Sequence, residues 1–204
     1  MKSRPYRLGQ RQVSADQTRA RIIAAARNLL ATPDDFSGFT IDDVAAQAGV
    51  ARMTVFNQFG SKRGLLEALF DDLAARGLVN RIHPVFMEPD PYKALDALVA
   101  AFGGFWTSDR LVIRRIRGLA SIDPDFESAV RARDDRRREG LRTILNRFPK
   151  KRHKAELDEV VAILHTLTSF ETFDNLAGQD HEPDEVVSLV CRLVWAVVES
   201  EEER

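Results

Sequence analysis

The chain is poor in the residues that carry redox and metal chemistry. Its 204 residues include one cysteine, Cys191, and four histidines. A single cysteine excludes an intrachain disulfide and predicts a reducing, cytoplasmic setting. The histidines are scattered. No Glu-x-x-His pair offers a carboxylate-bridged metal site. There is no His-Glu-x-x-His and no Gly-x-x-x-x-Gly-Lys phosphate loop. No metal site and no cofactor is therefore predicted. No stretch approaches the roughly 18–20 apolar residues that cross a bilayer, so no membrane partner is expected. Residues 1–13 are basic but lack an apolar core, unlike a secretory signal. Sustained period-two alternation is missing as well, which leaves an all-α fold.

The formal net charge is only −1, but its distribution is uneven. Residues 1–63 hold ten basic side chains against five acidic ones, and the remainder holds 20 against 26. A basic end on an acidic body fits one end meeting a polyanion, and it also fits a solvated basic tail.

Proline and glycine punctuate the helices. Residues 1–15 read as a flexible basic arm, interrupted by Pro5 and Gly9. From Asp16, which can cap it, a helix follows from Ile22, Ala25, Ala26, Leu29 and Leu30 on one face. Thr32-Pro33-Asp34-Asp35 ends it. A second helix begins at Thr40, and Gly49 supplies the left-handed turn that closes it. A short third runs from about 51 to 58. Ser61 caps a fourth carrying Leu65, Leu66, Leu69, Phe70 and Leu73 to about Arg81. Five more are read at about 91–107, 110–120, 124–147, 154–177 and 183–199, with Pro91, Pro124 and Pro183 at first helical positions. That makes about nine helices. The expected domains are the arm at 1–15, a DNA-binding domain at 16–61, a connecting helix at 62–81 and a larger domain at 82–204.

Residues 40–59 have the order of a helix-turn-helix. Ile41, Val44, Ala45, Val50, Val55 and Phe59 can form an inner wedge, and Ala45 and Ala48 are small where helices cross. Arg52, Thr54, Asn57 and Gln58 are left to point outward. Arg pairs with guanine, Asn and Gln pair with adenine, and Thr reaches phosphate or a thymine methyl. An ordinary αα-hairpin accounts for the same spacing.

The sequence also resembles the tetracycline-repressor (TetR) family over about residues 17–70. The resemblance rests on Ala25-Ala26-Arg27-Asn28-Leu29-Leu30, Thr40-Ile41, Val44-Ala45 and Ala48-Gly49-Val50. It continues through Thr54-Val55-Phe56, Phe59 and Ser61-Lys62-Arg63-Gly64-Leu65-Leu66. It implies a three-helix DNA-binding domain joined to a larger helical ligand-binding and dimerisation domain. It implies a ligand-responsive regulator, a repressor by type, acting as a homodimer on a palindromic operator in double-stranded DNA. A bacterial cytoplasmic protein that joins the nucleoid when bound to DNA is expected. By the resemblance Thr40 touches phosphate, Arg52, Thr54, Asn57 and Gln58 lie in the major groove, and Lys62 holds phosphate at a helix start. Two departures stand out. Ala51 replaces a usual serine cap, and Phe56 replaces a usual tyrosine, so Phe56 can only pack. Met53 stands where a small residue is usual and is placed either at a thymine methyl or on a plain surface. The arm residues Lys2, Arg4, Arg7 and Arg11 follow the minor groove or are simply solvated.

In the larger part the last helix is apolar nearly all round, which predicts cover on two sides. With the helix at 154–177 it is assigned to a dimer interface through Leu157, Val160, Val161, Leu164, Val187, Val190, Val194 and Val197, with a fully enclosed core helix in a monomer as the alternative. Phe102, Phe105, Trp106, His165, Ser169, Phe170 and Phe173 are the candidate lining of a small-molecule effector pocket, with ordinary core as the alternative. The arginines at 131, 133, 136, 137 and 138, interleaved with acids, read as a solvated helix face. Cys191, on an apolar helix, reads as inert. Competing with a regulator are a helical enzyme and a protein-interaction module built on the same scaffold.

Overall fold

The computed structural model describes residues 4–32, 39–178 and 181–202, and side chains between residues 13 and 200 within those ranges. Among the described residues all regular structure is helical and there is no strand. The helices are α1 (Arg4–Ala31), α2 (Ile41–Ala48), α3 (Arg52–Phe59), α4 (Lys62–Gly77), α5 (Val79–Met87), α6 (Pro91–Ser108), α7 (Arg110–Ala120), α8 (Pro124–Leu145), α9 (Lys154–Leu167), α10 (Phe170–Ala177) and α11 (Pro183–Glu202). No described helix is long and apolar enough to cross a membrane.

The chain divides into two compact units. One joins residues 1–72 to 111–126, and the other joins 73–110 to 127–204. The chain passes from one to the other within α4, between Asp72 and Leu73.

In the first unit, Thr40 takes extended geometry and its side chain accepts from the Asp43 N–H, which caps α2. Gly49 closes α2 at φ 64°, a left-handed conformation that favours glycine. The chain then turns directly into α3. Val44 and Val55 are fully buried, with Ile41 and Ala45 nearly so, and each buried valine stabilises by about 1.5–3 kcal/mol. Ile22, Ala26 and Leu30 of α1, Phe39, and Leu65 and Leu69 of α4 complete this core. Within the same unit, α7 buries Val112, Ile113, Ile116 and Ala120.

In the second unit, α11 packs against α6, α9 and α10. Val186, Val190, Val194 and Val198 form its buried stripe, four residues apart. α9 answers with Leu157, Val160, Val161 and Leu164.

The described residues form eleven helices where about nine were expected. The helix read at 154–177 breaks at Thr168-Ser169. Thr168 turns its hydroxyl back to the Leu164 carbonyl, and Ser169 caps α10 by accepting from the Thr172 N–H. The connecting helix read at 62–81 stops at Gly77, and α5 starts anew at Val79 with Pro84 inside it. α1 begins at Arg4 rather than Asp16. Pro5 does not delay it, because proline suits a first helical turn, where no N–H has an intrahelical acceptor. Pro91, Pro124 and Pro183 do open α6, α8 and α11. The arm side chains Lys2, Arg4, Arg7 and Arg11 lie outside the described residues, as do Pro33, Asp34 and Asp35.

Candidate nucleic-acid interface

α3 presents one face inward and another to solvent. Val55 is buried on the inner side. Arg52, Met53 and Asn57 are exposed, Met53 to 66%, while Thr54, Phe56 and Gln58 are half-buried. Thr40 and Lys62, at the starts of α2 and α4, are exposed as well. All eight residues expected at DNA thus belong to one compact unit.

Four of them are already engaged within the protein. Arg52 pairs with Asp42 of α2 at 2.5 Å, and its guanidinium lies 5.4 Å over the Phe56 ring. Phe56 therefore supplies a flat support for Arg52, a role open to it without the missing hydroxyl. The Lys62 ammonium lies 5.6 Å over the Phe39 ring. The Thr40 hydroxyl bonds the Asp43 carboxylate. Ala51 takes N-cap geometry at φ −70°, ψ 146° and makes no side-chain cap bond, as its methyl requires.

The residues expected at an effector pocket are gathered in the second unit. Trp106 contacts Phe105 at 4.7 Å and Phe102 and Phe170 at 5.8 Å between ring centroids. The Trp106 indole N–H donates to the Thr168 carbonyl at 3.0 Å. The void between Trp106, Phe170 and Phe173 measures about 10 Å³, room for a single water. These aromatics are packed against one another, as core residues are. Ser169 spends its hydroxyl as the cap of α10.

Arg137 is not on a solvated face, contrary to the sequence reading. It is 4% exposed and donates to the His165 carbonyl at 2.7 Å and the Thr168 hydroxyl at 2.9 Å. Its guanidinium lies 5.7 Å over Phe102 and 6.0 Å over Trp106. The spacing carried a signal. Arg137 stands seven residues after Val130 and four before Leu141, both buried, so it lies on the apolar stripe of α8. His165 Nε2 is 3.0 Å from the Arg137 guanidinium. The same Nε2 is 3.0 Å from the Asp134 carbonyl, which can only accept, so the two contacts place opposite demands on one nitrogen. Burial, then the Arg137 charge, hold the His165 pKa below its ordinary value.

The expected dimer residues need correcting. Leu157, Val160, Val161, Leu164, Val190 and Val194 are buried within the single chain, because α6, α9 and α10 already cover that side of α11. Only Val187 and Val197 are half-buried. The apolar side chains left outward on these helices are Ile163 and Leu193, each 38% exposed. An open groove of about 670 Å³ runs along α11, lined in part by Asp96, Val187, Cys191, Arg192, Trp195 and Glu199. Burial, then the Asp96 carboxylate, push the Cys191 thiol pKa up, so little thiolate forms at neutral pH.

Comparison with known proteins agrees with this geometry. Residues 22–69 match the family described as bacterial regulatory proteins, tetR family. The HTH-type transcriptional regulator AlkX of Mycobacterium tuberculosis is 34% identical over 122 residues, 58% of this chain and 54% of that protein. The chain spans about half the length of the curated relatives it matches. A TetR-like transcriptional regulator from a Rhodococcus species shares the fold at TM-score 0.69 and 21% identity, over 89% of this chain and 96% of that one. A transcriptional regulator from Saccharomonospora viridis, solved in complex with choline, shares it at TM-score 0.69 and 17% identity, over 88% and 96%. These relatives are regulators, not enzymes. The chain therefore carries at residues 22–69 a region that matches the tetR family of bacterial regulatory proteins, on a fold shared with solved TetR-like regulators.

Proposed function

We propose that the protein is a sequence-specific DNA-binding transcriptional regulator, a repressor acting as a homodimer and released by a small-molecule effector. The observation that carries the reading is the polar face of α3. Arg52 and Asn57 stand exposed beside Met53, with Thr40 and Lys62 at neighbouring helix starts. Arginine and asparagine side chains read base edges in a major groove, and lysine and threonine hold the backbone. A dimer places two such helices about 34–36 Å apart, one turn of B-form DNA.

Ile163 and Leu193 support pairing of the outward sides of α9 and α11. Arg192 and Glu199 lie seven residues apart on exposed positions of α11, so an antiparallel pair of these helices sets each against its opposite in the second copy. For the effector, the support is the aromatic cluster of the second unit and the choline carried by a regulator of similar fold. α4, like α8, runs from one unit into the other, and α4 is the covalent link through which we have the effector act. The effector must bind the DNA-incompetent form better. About 100-fold discrimination corresponds to about 2.7 kcal/mol of coupling.

The test is selection of duplexes from a randomised DNA pool by the purified chain. A selected two-fold symmetric site, bound by two chains per duplex, supports the reading. Retention of no sequence above background overturns it.

A further inference from the structure

α3 is short and ill-equipped to hold its own carboxyl end. It has eight residues, no side-chain cap at Ala51 and no basic residue in its last turn. Isolated helices of this length do not persist in water. Its own closing bond runs from the Gly60 N–H to the Phe56 carbonyl. The Gln58 carbonyl, two residues further on, takes its partner from another helix. The Arg19 guanidinium of α1 donates to the Gln58 carbonyl at 3.0 Å and lies 4.4 Å over the Phe59 ring. A cation is thereby placed where the helix dipole is negative. α1 is itself held at its end: Arg115 of α7 donates to the Leu30 and Thr32 carbonyls, at 3.0 and 2.7 Å. All of these residues belong to the first unit.

We propose that Arg19 is a positioning residue for DNA recognition, setting the pitch of α3 by gripping its carboxyl end while Arg115 fixes α1. Arg19 reads no base. It fixes the orientation in which Arg52 and Asn57 are offered. The grip works best with a planar cation, because the same guanidinium both bonds a carbonyl and stacks on a ring. Gly64 makes room on the other side of the same helix end: a Cβ there would stand 2.2 Å from the Phe59 carbonyl oxygen.

The inference rests on the DNA-binding reading of α3, and its test separates the two. Arg19→Ala and Arg19→Lys are compared with the unaltered chain on its selected duplex and on scrambled DNA over a salt series. Arg19→Ala is expected to lose about tenfold on the selected duplex, the scale of one charge-assisted hydrogen bond, with little change on scrambled DNA. Its salt dependence stays the same, and Arg19→Lys recovers part of the affinity. An equal loss on both duplexes, with the salt slope reduced by about one, makes Arg19 a phosphate contact and overturns the proposal. So does full affinity in Arg19→Ala. Amide exchange without DNA supplies a second reading. Faster exchange confined to the last turn of α3 in Arg19→Lys supports the grip, and unchanged exchange there overturns it. If the unaltered chain selects no DNA, the functional reading falls, and amide exchange still decides whether Arg19 holds α3.

Discussion

Arg52 and Asp42 form an ion pair across the turn of the helix-turn-helix, 2.5 Å apart, with side chains 59% and 62% exposed. Arg52 opens α3, where the helix dipole disfavours a cation, and the Asp42 carboxylate offsets that. A pair this exposed contributes about 0–1 kcal/mol, so DNA can draw Arg52 away at little expense.

Asp42→Asn should therefore leave the thermal midpoint within a few degrees of the unaltered protein. It removes a negative charge beside the polyanion and frees Arg52 to point elsewhere. Affinity for scrambled DNA should rise while preference for the selected duplex narrows. Fluorescence anisotropy on the two duplexes measures both, and an unchanged ratio would show that Asp42 does not orient Arg52.

Lys62→Ala and Asn57→Ala should separate backbone from base contacts. Lys62→Ala should weaken every duplex alike and lower the salt slope by about one. Asn57→Ala should relax preference at one base pair, by about 1–3 kcal/mol, with the slope intact. Full affinity in both variants would remove these residues from the interface.

Ala51→Ser should stabilise the protein. Ala51 already has the extended geometry of an N-cap, so a serine hydroxyl can accept from the α3 backbone without strain. The expected gain is about 0.5–1 kcal/mol in chemical denaturation. No gain would mean that the start of α3 is held by other means.

His165 predicts a pH dependence. Its folded pKa lies below 6.5, so below that pH the unfolded chain takes up a proton that the folded chain refuses. Stability is full above pH 6.5 and falls as the pH drops toward the folded value. Thermal midpoints between pH 7.5 and 5 should decline, and His165→Gln should flatten part of the decline. Parallel curves for the two proteins would remove His165 as the source.

The helix starts were readable because their signals are local. Thr40 has its acceptor oxygen and Gly49 its missing Cβ, while Pro91, Pro124 and Pro183 carry fixed φ angles. The outward face of α3 was readable for the same reason, since Val55 inside and Asn57 outside follow from helical period alone. What escaped was decided by distant partners. The break at Thr168 is stabilised by Arg137 and Trp106, and neither is near it in sequence. The apolar residues of α9 and α11 read as an interface because composition does not say which apolar side a chain covers itself. Arg19 was invisible because its grip on Gln58 spans 39 positions.

The filled space beside Trp106 would set the terms for an effector of the kind proposed. An effector bound there would have to open a chamber with room for one water, so its receptive conformer would be a minority in the free protein. Apparent affinity is then weaker than intrinsic affinity by that minority fraction. Smaller side chains at Phe170 or Phe173 would tighten binding by sparing the opening step, and sensitivity to the inducing molecule could drift through evolution at positions that never touch it.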